Sequence, residues 1–293
     1  MKEYFLGRII SDKRLPIAVG LFYEAEAEKL RTQLEWGFRH PLGPGKLPSE
    51  SPGHSEAVVV PHGGFFVAGP LYAHGVHAAA GGKWDLVIVV GPNHTGVGPS
   101  VSIYPRGSWV TPLGEVPVDE EASRLLAEEA GAELDVHGHL YEHSVEVVLP
   151  WLQYSLSNGW RLVAVSMYDS SPEAAQRLAK AVSSLTERLG RSTLVVASAN
   201  LTSYLGYDEA RRKDQVLLDA VLDLQEGGVY QAALREEIPS CSVGVLEFFV
   251  SYSRLRSLKP RLLAYATSGD ITRERDVVTG YAALAAEKAA EGE

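Results

Sequence analysis

The sequence predicts an α/β protein, one domain over residues 1–293 with a largely parallel central sheet and helices on both faces. Two observations predict it. Five short runs rich in Val, Leu, Ile and Ala (57–60, 85–90, 161–165, 193–197 and 262–266) each stop at a polar, glycine- or proline-rich turn. Continuous rather than alternating apolar runs suit strands buried on both faces. Between them lie stretches with helical spacing, and strands alternating with helices imply parallel crossovers.

The elements follow in order. Residues 24–38 place Ala27, Leu30, Leu34 and Phe38 on one helical face. Residues 40–53, rich in Pro, Gly and Ser, read as a surface loop. After Ser55 the run 57–60 enters Pro61-His62-Gly63-Gly64. His74 and His77 then fall three apart on a helix that lacks the glutamate of a zinc-protease helix, so they read as surface or packing residues. The run 85–90 enters Gly91-Pro92-Asn93-His94, and residues 100–118 form a β-hairpin excursion turning near Thr111-Pro112-Leu113-Gly114. Residues 119–130 make a helix with an acidic start that points Ala122, Leu125 and Leu126 inward. A helix beginning at His139 would run on to Pro150, where proline constrains it. Ser171-Pro172 opens a helix over 172–189. The run 193–197 enters Ser198-Ala199-Asn200, a helix covers 208–224, and the run 262–266 enters Thr267-Ser268-Gly269-Asp270. A C-terminal helix is predicted from about Gly280, and the tail after Tyr281 is rich in Ala and Glu.

Composition narrows the function classes. With 45% hydrophobic and 22% charged residues the chain can bury a core without covalent staples. Its one cysteine, Cys241, excludes an intrachain disulfide framework and fits a reducing interior. A formal net charge of −10 argues against a nucleic-acid partner. The run Arg211-Arg212-Lys213 reads as a solvated helix face. Lys2, Glu3 and Arg8 interrupt the N-terminus, which therefore reads as neither signal peptide nor membrane anchor. No stretch has the apolar length to cross a bilayer. The expectation is a cytoplasmic protein.

Ligands of open α/β sheets bind outside the carboxyl ends of the strands. His62, His94, Asn200 and Asp270 each follow an apolar run by a few residues, so a parallel sheet would bring all four to one edge. Imidazole is the commonest transition-metal ligand, and a catalytic metal needs about three protein ligands with positions left open. His62 and His94 supply two; the third could be Cys241 as thiolate or an acidic residue such as Glu146. A second constellation, His139-Leu140-Tyr141-Glu142-His143-Ser144-Val145-Glu146, sets His139 with His143 and Glu142 with Glu146 on shared helix faces, where they could transfer protons. The segment Gly91 to Gly98 lacks the spacing and lysine of a phosphate loop, and no serine lies in a nucleophile-elbow pattern.

Taken in order, these segments resemble the Memo family. The blocks are Pro16 to Tyr23, PHGGF at 61–65, GPNH at 91–94, TPLGEVPVD at 111–119, HLYEHSVEVVLPWLQ at 139–153, Ser198-Ala199-Asn200, Cys241, Ser268-Gly269-Asp270 and VVTGY at 277–281. The resemblance implies the fold of LigB-type extradiol dioxygenases, with a pocket at His62, His94 and Cys241. In those dioxygenases the region binds non-haem Fe(II) through histidines and a carboxylate. For this chain the resemblance implies Fe(II), with Cu or Zn as alternatives, in a dioxygenase-like oxidoreductase acting on a small substrate. His143 would be the acid/base and Glu146 its orienting partner. The alternative is a non-catalytic adaptor that offers a vestigial pocket to a small-molecule or peptide ligand. The family pattern has Ser-Ser-Asp and then His three residues later; here Asn200 and Ser203 stand at those pocket positions, and Ser242 replaces the glycine after Cys241. An amide and a hydroxyl are poorer partners for a divalent cation than a carboxylate and an imidazole.

Overall fold

The computed structural model describes residues 9–10, 12–51 and 53–288. The expectations for Lys2, Glu3 and Arg8, and for the end of the Ala/Glu-rich tail at 289–293, lie outside these residues. The chain opens with two short strands, β1 (Ile9–Ile10) and β2 (Lys13–Arg14), then helix α1 (Ala27–Arg39). Next come β3 (Ala57–Val60), α2 (Phe65–Ala79), β4 (Leu86–Pro92), β5 (Val101–Ile103), β6 (Ser108–Thr111) and β7 (Gly114–Pro117). They are followed by α3 (Glu120–Ala130), β8 (Glu133–Leu134), α4 (His137–Leu140), α5 (Leu149–Ser155), β9 (Arg161–Met167) and α6 (Pro172–Leu189). The last third holds β10 (Thr193–Ser198), α7 (Tyr207–Leu222), α8 (Gly228–Arg235), α9 (Val243–Leu255), β11 (Leu258–Thr267), α10 (Ser268–Thr272) and β12 (Gly280–Lys288).

Eight strands form the main sheet in the order β11-β12-β3-β10-β4-β9-β5-β8, and β1-β2-β6-β7 form a smaller one. The four central strands, β3, β10, β4 and β9, are mutually parallel. Every residue of β3, β4 and β10 is buried, because helices cover both faces. Alternate residues divide between the two faces: Ile88, Val90, Val195 and Ala197 pack with α6 and α9, whereas Val87, Val89, Val58 and Val60 pack with α2 and α5. On the second face Trp151 stacks on Tyr72 with centroids 5.3 Å apart. Burial of such side chains, about 1.5–3 kcal/mol each, drives the assembly. No helix among the described residues is long and apolar enough to cross a membrane.

The α/β layering is therefore as the apolar runs predict, and Asp119 and Ser171 cap α3 and α6 by accepting the Ala122 and Ala174 amides. Four readings are corrected. First, the chain after Gly280 is a strand, not a helix: β12 lies between β11 and β3, antiparallel to both. Its alanines favour a helix locally, but small side chains also fit a strand enclosed on both sides, and tertiary pairing overrides propensity. Second, of the excursion at 100–118 only β6 and β7 form the hairpin, while β5 joins the main sheet beside β9. Third, no continuous helix runs from His139 to Pro150; α4 ends at Leu140, a turn follows, and a short 3₁₀ segment at 146–148 leads into α5. Fourth, Arg211 and Arg212 are solvated, but Lys213 is buried and donates to the Glu237 carbonyl at 3.0 Å.

Gly280 opens β12 at a close approach. A Cβ there would overlap the Asp214 carboxylate, which already accepts the Thr202 amide (2.8 Å) and the Tyr265 hydroxyl (2.7 Å). Gly280→Ala is therefore expected to destabilise the fold by about 2 kcal/mol, the cost typical of overpacking. A lowered urea midpoint with unchanged slope would show it, and an unchanged midpoint would mean that the strand can shift.

Candidate metal centre

His62 stands two residues beyond β3, and His94 two beyond β4. Because β3 and β4 flank β10 in parallel, their carboxyl ends present both imidazoles at one edge, with Ser198 at the end of β10 between them. Cys241 arrives from another direction, immediately before Ser242, the N-cap position of α9.

The three side chains converge. Cys241 Sγ lies 3.4 Å from His62 Nε2, and the ligand atoms of His62, His94 and Cys241 all fall within 4.8 Å of one another. Each histidine is held from behind. His62 Nδ1 faces Ser198 Oγ at 3.3 Å, and its backbone N–H donates to Asn200 Oδ1 at 3.0 Å. His94 Nδ1 meets Glu142 Oε1 at 2.9 Å, and its backbone N–H donates to Glu142 Oε2 at 2.5 Å. A partner on Nδ1 fixes the ring and turns Nε2 inward, the arrangement by which metal-binding histidines are oriented.

His143 completes the cluster. Its ring stacks on His94 with centroids 4.8 Å apart, lies 5.8 Å from His62, and carries Phe22 against it at 4.6 Å. Its Nδ1 is 3.5 Å from Glu142 Oε1. The carboxylate beside His143 is thus Glu142, and His94, Glu142 and His143 form a second group able to hold a cation.

Glu146, expected as a third ligand or as the orienting partner of His143, does neither. It is fully buried and accepts from Arg14 Nη1 (2.6 Å), the Ile17 and Ala18 amides and the Tyr23 hydroxyl. The turn after Leu140 separates Glu142 from Glu146, which a continuous helix would have stacked on one face. Glu142 was visible in the motif, but with equal helical spacing nothing local distinguished it from Glu146. Asn200 accepts the backbone N–H of His62 through Oδ1, and Ser203 donates its backbone N–H to the Pro239 carbonyl. Asp270 reaches the same edge but is occupied by the Tyr207 hydroxyl (2.6 Å) and the Thr267 amide (2.7 Å).

The electrostatics match the geometry. Desolvation pushes the Cys241 thiol up, but attraction to His62 and hydrogen bonds from His62, His94 and Ser242 outweigh it and bring the thiol to about 5. Desolvation pushes His94 down, yet its bonds to Cys241 and Glu142 raise it to about 10. For Glu142 desolvation acts upward, while the bond and charge of His94 bring it to about 2. Burial, reinforced by His62, lowers His143 to about 4, so this ring is neutral near pH 7. Without metal, both shifts favour a thiolate at Cys241 and an imidazolium at His94. Alkylation of Cys241 by iodoacetamide is expected to reach its plateau rate near pH 6–7; a midpoint near the ordinary cysteine value of about 8.5 would refute this.

A family model described as "Memo-like protein" matches residues 14–285, nearly the whole chain. The chain belongs to the Memo-like family. A MEMO1 family protein of Aeropyrum pernix is 41% identical to it, over 92% of this chain and 98% of that one. Another, from Sulfurisphaera tokodaii, is 36% identical over 92% of this chain and 97% of its own. Among solved structures the fold is similar to that of the uncharacterized protein JW3007 from Escherichia coli K12 (TM-score 0.54, 12% identity, 78% of this chain and 98% of that one). That likeness shows the α/β fold alone. The Memo-like match encloses His62, His94, Glu142, His143 and Cys241, so the whole cluster lies within the family region.

Proposed function

We propose that this Memo-like chain is a mononuclear metal protein with His62, His94 and Cys241 as ligands, acting as a dioxygenase-like oxidoreductase on a small substrate. The observation that carries it is the convergence of two imidazoles and one thiol, their ligand atoms within 4.8 Å of one another, with each Nδ1 held from behind by Glu142 or Ser198. Two imidazoles and a thiolate suit Fe(II), Cu or Zn, and three protein ligands leave positions open for a substrate. We take Fe(II) as the first candidate. When bound, iron or copper would supply electron transfer with O₂, and zinc would supply a Lewis acid. The chain's own part is to orient and to move protons. Glu142 and Ser198 fix the two ligand rings. His143, neutral near pH 7 and 22% exposed, can accept a proton from a substrate hydroxyl. Phe22 covers one side of that ring and shields it from water.

The test is metal content after anaerobic purification without a tag, followed by titration with Fe(II), Cu(I) and Zn(II). About one equivalent, bound more tightly as pH rises because His94 must release its proton, is the expected result. Protein that refuses all three metals would sink this reading.

A second reading, a non-catalytic binding protein, has one observation in its favour. Leu21 and Tyr204 are 83% and 85% exposed, and Leu21 adjoins the Phe22 that packs against His143. Exposed apolar groups beside a pocket suit a bound partner. Ligand or peptide binding that persists in His62→Ala and His94→Ala would support it.

A further inference from the structure

Arg14 lies outside both ligand groups, yet it reaches the segment that carries Glu142 and His143 at three points. It is 1% exposed. Its Nε donates to the His139 carbonyl (2.9 Å), Nη2 to the Glu142 carbonyl (2.7 Å) and Nη1 to Glu146 Oε2 (2.6 Å), while its guanidinium lies 4.0 Å over the Trp109 ring. A buried cation needs compensation, and stability alone could be served by any carboxylate with any carbonyls. Here two of the acceptors are the carbonyls on either side of the turn that ends α4.

The consequence runs directly to the ligands. The residue whose carbonyl Arg14 holds is the residue whose carboxylate grips His94 twice, at Nδ1 and at the backbone N–H. The same carboxylate also accepts the Ser144 amide at 2.8 Å and lies beside His143. On the other side of Arg14, Glu146 binds the Ile17 and Ala18 amides and the Tyr23 hydroxyl, fixing the segment from which Phe22 reaches His143. Both the rear support of His94 and the wall against His143 therefore depend on one guanidinium delivered by β2.

We propose that Arg14 is a positioning residue of the metal centre, holding the Glu142 turn so that Glu142 orients His94 and His143. This rests on the metal-site reading above. A planar guanidinium can serve all three acceptors at once, whereas a lysine ammonium at the end of a flexible stem can keep the ion pair but cannot span them. Loosening an outer support of a histidine ligand typically costs about 10–100-fold in metal affinity.

The experiment compares wild type, Arg14→Lys and Lys213→Met, the last removing a buried cation of α7 that bonds the Glu237 carbonyl rather than the Glu142 turn. Affinity for Co(II) is measured by chelator competition, together with the thiolate-to-Co(II) absorption band. In the metal-free proteins, ¹⁵N-¹H imidazole spectra read the His94 Nδ1–H bond to Glu142. The expected result is a loss of about 10–100-fold in affinity, with an altered band and a shifted His94 Nδ1–H signal, in Arg14→Lys alone. Should Arg14→Lys fold poorly, the double variant Arg14→Met/Glu146→Leu, which removes both buried charges, is expected to show the same loss. Wild-type affinity and an unshifted His94 signal in Arg14→Lys would overturn the proposal. So would an equal loss in Lys213→Met, which would mark general destabilisation. If wild type binds no metal, the metal reading fails, and the imidazole spectra alone decide whether Arg14 positions His94.

Discussion

Replacing His62 or His94 with alanine is expected to lower metal affinity by more than about 100-fold, beyond the roughly 10–100-fold typical of losing an outer support. Each change removes one of three converging donors, and two protein ligands rarely hold a divalent ion in competition with water. Cys241→Ser is expected to behave similarly, because a hydroxyl is a far weaker ligand than the thiolate that this pocket favours. Metal analysis and chelator competition check these outcomes. Two controls sharpen them. His74 bonds the Leu42 carbonyl outside the cluster, and Ser203 is tied through its backbone N–H to the Pro239 carbonyl, so His74→Ala and Ser203→Ala are expected to bind metal as wild type does. Full occupancy in His62→Ala would transfer the site to the second group, His94, Glu142 and His143.

Glu146→Ala is expected to cost about 3–5 kcal/mol of folding stability, the cost of leaving a buried charge unpaired. It strands the Arg14 guanidinium at 1% exposure and removes the acceptor of two backbone amides and the Tyr23 hydroxyl. Glu146→Gln keeps the shape and one acceptor oxygen, so a smaller loss is expected. Urea denaturation of both variants distinguishes the roles read from sequence and from structure. If Glu146→Ala unfolded at the wild-type midpoint but failed to position His143, the orienting role read from sequence would stand and the anchoring role would fall. The structure also ranks Glu142 above Glu146 for function: Glu142→Gln should disturb His94 and leave the Arg14 pair intact.

What was legible locally was whatever depends on spacing. Apolar runs such as 85–90, flanked by helical stretches, specify strands enclosed on both faces. The rule that ligands gather at the carboxyl ends of parallel strands brought His62, His94, Asn200 and Asp270 to one edge, and imidazole chemistry then set His62 and His94 apart as ligand candidates. Cys241 was less accessible: as the only cysteine it drew notice, but no spacing ties it to His62, 179 positions away. Resemblance, not periodicity, placed it in the pocket.

The remainder was decided by contacts between distant segments. Gly280 to Lys288 has the composition of a helix and becomes a strand because β3 and β11 supply hydrogen-bonding edges on both sides. Glu142 and Glu146 are equivalent on any helical projection. A turn between them and the arrival of Arg14, 132 positions away from Glu146, give one the histidines and the other an ion pair. By itself the sequence determined the layered α/β architecture, the sheet edge and the two histidines, because these follow from local periodicity and strand termination. Only the tertiary structure decided the last strand, the division of labour between the carboxylates and the part played by Arg14, because hydrogen-bond partners brought in by chain topology leave no periodic trace in sequence.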